Sequence, residues 1–291
     1  MSAQTVLYDV QGPKARRRVL IYSVIGGLFV LALLAVALRR LQANGQFEPD
    51  LWRPFVDDPR VARRLLVGLQ GTLRAAGIAL GLAVVLGIVL AFGRLSQRFF
   101  LRLPAVAVIE FFRATPLLLL ILGFFLAWPI VVGQRLEPLY ALVLGLTLYN
   151  GAVIAEIVRA GIQSLPKGQS EAALAMGMRR GQVLRIILLP QALRVMLPSL
   201  ISQLVVLLKD TSLGFVIVYP ELLRIGGFVA QNLRNPIQTY TVIAIIYIVI
   251  NFALGRLAAW VEGRQRSKTS GDPATAVPKA MEGQTAPGAA A

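Results

Sequence analysis

The residues of this sequence that could do chemistry are charged side chains inside long apolar stretches. Glu110 and Arg113 are three residues apart, and Glu156 and Arg159 repeat that spacing, so each pair shares one face of a helix. Ionisable groups at membrane depth are costly and normally face protein or a water-filled cavity. Two interpretations are open: the pairs neutralise themselves near helix ends, or they line a path for a solute. Because an arginine fork matches a carboxylate, Arg113 is the residue of most interest for an acidic solute.

Polar residues interrupt the apolar pattern in two further places. Asn150 lies in the middle of an apolar stretch, where an amide either bonds one helix to another or contacts a solute. Lys209, Asp210, Thr211 and Ser212 follow a later stretch and either cap a helix or line the mouth of a cavity. Both alternatives stay open for each place.

Composition excludes several classes of function. Histidine and cysteine are absent, which excludes disulfides, thiolate metal sites and hydrolysis by a histidine base. No GxxxxGK[ST] pattern occurs, so the chain has no phosphate-binding loop of that type. Hydrophobic residues make up 56% and charged residues 15% of the chain, against about 45–50% and 25% in soluble domains. The net charge of +16 would suggest nucleic acid in a soluble protein, but basic loops beside membrane spans explain it here.

Hydropathy predicts an all-α integral membrane protein with about six transmembrane helices. Twenty helical residues cross one hydrocarbon core of about 30 Å. The first stretch, 19–38, is too long for a signal peptide and is followed by Arg39 and Arg40, so we expect it to be retained. The predicted spans are 19–38, 65–93, 104–128, 139–159, 186–208 and 237–261.

The segments outside these spans have different predicted roles. Residues 1–18 form a basic cytoplasmic N-terminus, and 39–64 form an extracytoplasmic loop. Residues 209–236 are too broken for a span and too apolar for a free loop, so we expect a partly re-entrant segment packed against protein. Residues 263–291 read as a disordered cytoplasmic tail, since they are rich in Ala, Gly, Pro, Ser and Thr.

The distribution of Lys and Arg predicts the orientation. An even number of spans places both termini on one side, and most Lys and Arg residues then lie on that side together with the loop 160–185. The positive-inside rule therefore places both termini in the cytoplasm. The basic cluster Lys14–Arg18 either sets this topology or also binds anionic lipid.

The loop 160–185 predicts a short helix outside the membrane. Ser170 is a plausible N-cap, and Glu171 would then lie in the first turn, where the helix dipole favours a negative charge. Ala172 and Ala173 favour a helix, and Gly177 can take the left-handed conformation that ends it. Such a helix either fits a groove on a soluble partner or is only a surface helix.

Residues 171–190, EAALAMGMRRGQVLRIILLP, follow the pattern EAA-x3-G-x9-I-x-LP. This pattern resembles the EAA loop of permease subunits of bacterial ATP-binding-cassette (ABC) importers. EFFRATP at 110–116, PKGQ at 166–169 and LKDTSL at 208–213 resemble the polar amino-acid branch. The resemblance covers residues 65–262, as a five-helix permease core with the EAA loop at 160–190. The extra first span and GQFEPDLWRPF at 45–55 resemble glutamate-transporter permeases.

The resemblance implies a coupling helix that docks into a cleft of a cytoplasmic ATPase. The matching contact residues are Glu171, Ala172, Ala173 and Gly177. The chain itself would then be no enzyme and would bind no cofactor, because ATP is used by the partner ATPase dimer. The candidate residues of a substrate pathway are Arg113, Asn150, Glu156, Lys209, Asp210, Thr211 and Ser212.

The implied partners are a second permease subunit, an extracytoplasmic substrate-binding protein and membrane lipid. The extra first span favours a related, heteromeric permease partner, with a homodimer also open. The implied location is the bacterial inner membrane, and the implied substrate is a polar amino acid, with glutamate indicated. An ion-coupled secondary amino-acid transporter is the alternative, but it should show an internal repeat and mid-membrane coupling charges. A structural membrane protein would not need the EAA spacing.

Overall fold

A computed structural model describes residues 12–269, apart from the side chains of residues 13, 258 and 261–269. Within that range the chain is helical and contains no strand. The longer helices are α1 (Pro13–Ala43), α4 (Pro59–Leu95), α5 (Phe99–Ala114), α6 (Leu117–Val132), α7 (Pro138–Gln163), α10 (Leu189–Asp210), α11 (Leu222–Leu233) and α12 (Pro236–Thr269). The shorter ones are α2 (Pro49–Trp52), α3 (Pro54–Asp57), α8 (Lys167–Ala175) and α9 (Arg180–Gln182), with a π-helical turn at Val183–Leu188 and a 3-10 helix at Thr211–Phe215.

Five described helical segments are long and apolar enough to cross a membrane, and one bent pair of helices is a sixth candidate. That pair is α5 and α6, which meet at an angle of 98°. The span predicted at 104–128 is therefore broken and has wider bounds, because Pro116 cannot continue a helix and holds Thr115 in extended backbone. The Thr115 hydroxyl donates to the carbonyl of Phe111 at 2.8 Å and so satisfies one acceptor at the break.

The bent pair carries the chain from one end of the bundle to the other. Arg94, in the last turn of α4, forms an ion pair with Glu156 in the C-terminal half of α7. These two helices therefore run in the same direction, and their C-terminal ends lie at the same end of the bundle. The chain must return to the opposite end between them, so α5 and α6 together form one broken passage. This connectivity gives six passages, the number expected from hydropathy.

Helices α4 and α7 form the centre of the bundle. Most of α7 is buried, and it packs along α4. Their closest approach is at two glycines, since a Cβ on Gly87 would lie 2.6 Å from Cγ2 of Ile154, and one on Gly151 would lie 2.9 Å from Cδ2 of Leu86. Small residues allow such contact between membrane helices.

Two predicted boundaries differ from the structure. The loop expected at 39–64 is partly helical, because α1 continues to Ala43 and α4 begins at Pro59. Asp58 caps α4, and the hydrogen bond from the backbone N–H of Arg60 is the main reason that the pKa of Asp58 is lowered. The tail expected from 263 begins inside α12, which extends to Thr269. The rest of that tail and most of the basic N-terminus, residues 1–11, lie outside the described residues.

The segment 209–236 folds against protein, as its mixed pattern predicts. Helix α11 packs on α4 and α12. Its N-cap is Glu221, which is fully buried and accepts hydrogen bonds from the N–H groups of Leu223 and Arg224 and from the hydroxyl of Tyr247.

Candidate functional site

Helix α8 is the short extramembrane helix expected in the loop 160–185, but it begins four residues earlier than predicted. Its N-cap is Pro166, and the Ser170 hydroxyl donates to the carbonyl of Lys167 at 2.8 Å. Ser170 is therefore not the cap, and Glu171 lies in the second turn, where the helix dipole acts on it more weakly. The proline explains the early start, because it supplies a fixed φ and an extended entry.

Gly177 ends this helix in the predicted left-handed conformation, with φ at +81°. The N–H of Gly177 donates to the carbonyl of Leu174 at 2.9 Å, and the N–H of Met178 donates to that of Ala173 at 3.2 Å. This pair of bonds satisfies the last helical carbonyls and turns the chain sharply. The helix end is thus fixed by local hydrogen bonds rather than by packing.

The free face of α8 differs from the predicted contact set in one residue. Glu171 and Ala172 are exposed, and so is Met176, whose side chain is 78% accessible. Ala173 is buried, in a helix that packs on the π-helical turn 183–188. An alanine turned into its own chain cannot be a side-chain contact, so Ala173 sets the position of α8 instead.

A network of charged side chains joins three helices at the same end of the bundle. Arg94 of α4 lies 3.0 Å from Glu110 of α5 and 3.2 Å from Glu156 of α7. Each carboxylate also has its predicted partner three residues on, at 3.7 Å from Arg113 to Glu110 and 2.9 Å from Nε of Arg159 to Glu156. The self-neutralising pairs are thus parts of one network.

Sequence reasoning missed Arg94, the residue that links the two pairs. One signal for it was present in the sequence: Arg94 lies in the last turn of a span and has no acidic residue three or four positions away on its own helix. The network contains three arginines and two glutamates, so it has one positive charge in excess. Arg113 is 38% exposed and is the member of the network best placed to meet a further anion.

Asn150 joins α7 to α10. It is fully buried, donates to the carbonyl of Leu146 at 2.8 Å, and accepts from Nε2 of Gln203 at 2.7 Å. Its hydrogen bonds are those expected of an amide that bonds one helix to another. A solute would have to displace Gln203 in order to reach Asn150.

The remaining predicted pathway residues, Lys209 to Ser212, lie far from the charged network. Gly214, just beyond them, contacts Leu142 near the start of α7, whereas Glu156 is fourteen residues further along, about 20 Å at helical rise. Thr211 is buried and its hydroxyl donates to the carbonyl of Leu208 at 2.7 Å. Of the other three side chains, Lys209 is exposed and two are half-buried. The structure therefore does not gather the predicted pathway residues into one pocket.

The contacts described above are those of packing, helix capping and ion pairing. Within residues 12–269 no group of three acidic residues is placed to hold a metal ion. The site consists of the exposed helix α8, whose end is fixed at Gly177, and of a bundle in which ion pairs join α4, α5 and α7.

Comparison with known proteins agrees with this architecture. The family model described as "Binding-protein-dependent transport system inner membrane component" matches residues 83–267. The chain is 45% identical over 230 residues to the glutamate transport system permease protein GluD of Corynebacterium glutamicum, covering 78% of this chain and 84% of that one. It is 33% identical over 203 residues to the glutamine transport system permease protein GlnP of Escherichia coli K12, covering 69% and 93%.

A solved structure shares the fold. The crystal structure of an amino acid ABC transporter with histidines contains a chain that matches with a TM-score of 0.68 and 30% identity, covering 72% of this chain and 98% of that one. The bundle from α4 to α12 is thus an arrangement already seen in a transporter.

Proposed function

The chain belongs to the family of binding-protein-dependent transport system inner membrane components, and we propose that it is the permease subunit of an ATP-driven importer for a polar amino acid, with glutamate as the substrate. The observation that carries this proposal is α8, an exposed helix that displays Glu171 and ends at the left-handed Gly177. The 45% identity to a glutamate permease supports the choice of substrate.

In this proposal, α8 docks into a cleft of a cytoplasmic ATPase. Closure of the ATPase dimer on ATP pulls α8, and the bundle follows because the charged network ties α4, α5 and α7 together near that end. ATP and a loaded extracytoplasmic binding protein favour one state of the bundle over the other, which is the condition for a switch between inward-open and outward-open forms.

The connectivity supports cytoplasmic termini. The segment before α4 contacts the start of α12, since Asn235 donates to the carbonyl of Leu51 and Gln238 donates to that of Gln46. If α1 and α12 each cross the membrane from this contact, their opposite ends lie on the side that carries α8. An ATPase at α8 therefore implies that both termini lie on its side.

The substrate is expected to pass near Arg113, since the excess positive charge of the network suits an acidic amino acid. Asn150, Glu156 and Lys209 to Ser212 remain candidates for the pathway wall once a second permease subunit completes it. The extra span α1 is apolar and exposed along its length, which supports a heteromeric permease partner for it to contact.

The test is to replace Glu171 with Lys in the complete transporter. We expect normal membrane insertion but weak co-purification of the ATPase and a large loss of ATP-driven glutamate uptake, because a positive charge replaces the negative one on the docking face. Glu137→Lys is the matched control, since Glu137 is exposed at the start of α7 at the other end. Full uptake and assembly in Glu171→Lys would refute the docking role.

The alternative of an ion-coupled secondary transporter is not favoured by the family match. It predicts uptake that collapses with the ion gradient and needs no ATPase. Uptake into vesicles with ATP supplied and the ion gradients dissipated separates the two.

A further inference from the structure

A cavity of about 870 Å³ lies beside α8, outside the charged network. Its lining comes from the turn between α4 and α5, from Ile162 of α7, from Ser170 and Leu174 of α8, and from the segment that follows α8. Three arginines border it: Arg98 from the turn, and Arg180 and Arg185 from α9 and the π-helical turn. This volume is within the range of ligand sites, about 300–1,000 Å³.

The three arginines are not neutralised within the described chain. None of Arg98, Arg180 and Arg185 forms an ion pair with any carboxylate whose side chain the structure describes. Arg94, only four residues before Arg98, has two glutamates. The cavity therefore concentrates positive charge, and each of the three arginines on its lining carries a fork that matches the oxygens of a phosphate.

The floor of the cavity is apolar. Leu95 of α4 and Leu184 and Leu188 of the π-helical turn contribute to it, and most of its lining surface is hydrocarbon. Next to it, Phe99 and Phe100 are 65% and 87% exposed and directly follow Arg98. Exposed aromatic rings beside arginines are typical of the layer where lipid headgroups meet acyl chains.

We propose that this cavity binds an anionic phospholipid, with the phosphate held by Arg98, Arg180 and Arg185 and the acyl chains along the apolar floor. A carboxylate of a soluble protein would match the charge but would leave the leucine floor without an apolar partner. A bound lipid would bridge the end of α4 to the segment after α8, so the lipid composition would set how rigidly α8 is held.

The test is titration of the purified full-length chain in detergent with phosphatidylglycerol and, separately, with phosphatidylcholine, followed by native mass spectrometry. The variant is the triple substitution R98Q/R180Q/R185Q. The matched control is R60Q/R63Q/R64Q, which removes three arginines that line a separate cavity at the other end of α4. Helical circular dichroism and a single gel-filtration peak establish that each variant is folded.

We expect phosphatidylglycerol to bind tighter than phosphatidylcholine. The first triple variant should weaken it on the order of a hundredfold, from roughly fivefold per basic side chain near an anionic surface. The control should retain binding, and inorganic phosphate should compete only weakly, since it lacks the acyl chains. Equal binding of both lipids, unchanged binding in the first variant, or full competition by phosphate would overturn the proposal.

A second measurement tests the same site without any substitution, in case the triple variant does not fold. Photoactivatable phosphatidylglycerol is crosslinked to the unmodified chain, and the adducts are located by peptide mass mapping. Adducts within 92–101 or 180–188 support the site. Adducts found only elsewhere contradict it, and protection by an added ATPase in place of lipid labelling would assign the cavity to the protein partner.

Discussion

Replacing Gly71 with alanine should destabilise the bundle far more than the same change six residues along α4. A Cβ on Gly71 would lie 2.3 Å from the carbonyl oxygen of Pro220, where an unstrained carbon–oxygen contact is about 3.3–3.6 Å. The obstacle is backbone and cannot rotate away. Helix α4 and the chain before α11 would have to separate by about 1 Å to restore that contact distance.

That separation would strain two hydrogen bonds. The hydroxyl of Tyr219 donates to the carbonyl of Gly71 at 2.9 Å, and the N–H of Leu222 donates to the buried hydroxyl of Thr72 at 3.1 Å. Overpacking costs about 1–3 kcal/mol, and each weakened bond adds about 0.5–1.5 kcal/mol. Alanine regains up to about 1 kcal/mol of helix propensity. The net loss in the free energy of unfolding is therefore about 1–5 kcal/mol.

Gly77→Ala is the matched control, because nothing lies within 4 Å of a Cβ at that position. It should be neutral or slightly stabilising for the same propensity reason. Unfolding by increasing mole fraction of dodecyl sulfate, followed by circular dichroism, measures both variants against the unmodified chain. Equal midpoints for Gly71→Ala and Gly77→Ala would show that α4 does not approach Pro220 as closely as described.

Three further changes test the site. Gly177→Ala forces a side chain into the left-handed backbone region, which costs about 1–2 kcal/mol of conformational free energy. The end of α8 should therefore fray, and coupled uptake should fall with little change in global stability. Protease sensitivity of the loop measures the fraying, and an unchanged cleavage rate would contradict it. Arg94→Gln removes an ion-pair partner from both Glu110 and Glu156, so it should lower the dodecyl sulfate midpoint of unfolding. Arg102→Gln, at an exposed position, should leave that midpoint unchanged. Equal midpoints for the two variants would refute the stabilising role of the network. In a double-mutant cycle, the stability losses of Asn150→Ala and Gln203→Ala should show a coupling energy of about 0.6 kcal/mol, the average for hydrogen-bonded pairs between membrane helices. Strictly additive losses would mean that the hydrogen bond of 2.7 Å between Asn150 and Gln203 contributes nothing to stability.

Local features were predictable because they depend on neighbours in sequence. Apolar stretches gave the number of passages, since a membrane requires about twenty residues whatever the fold. Gly177 was predictable as a helix end, because only glycine takes φ near +81° at low cost. The start of α8 was misjudged because Pro166 and Ser170 both offer a plausible first turn, and their competition depends on how the chain leaves α7.

The break at Thr115 illustrates a partial prediction. Pro116 was visible in the sequence, but a proline inside an apolar stretch can end a helix or only bend it. The 98° turn depends on α6 finding room against α7, where Ile121 packs on Gly145. Hydropathy alone predicted one span here and could not show the bend within it.

By itself the sequence determined the class of molecule: a membrane bundle of six passages with a short exposed helix. The residue spacing of that helix and its end at Gly177 can both be read from the sequence. The tertiary structure alone decided which residues act together. Of three glycines on α4, Gly87 lies at a helix contact, whereas a Cβ on Gly77 or Gly81 would have nothing within 4 Å. Arg94 forms ion pairs with Glu110 and Glu156, which lie on two other helices. Lys209 to Ser212 lie away from this network. The reason is physical, since helical periodicity fixes faces within a helix, whereas the partner of each face is set by packing between helices far apart in the chain.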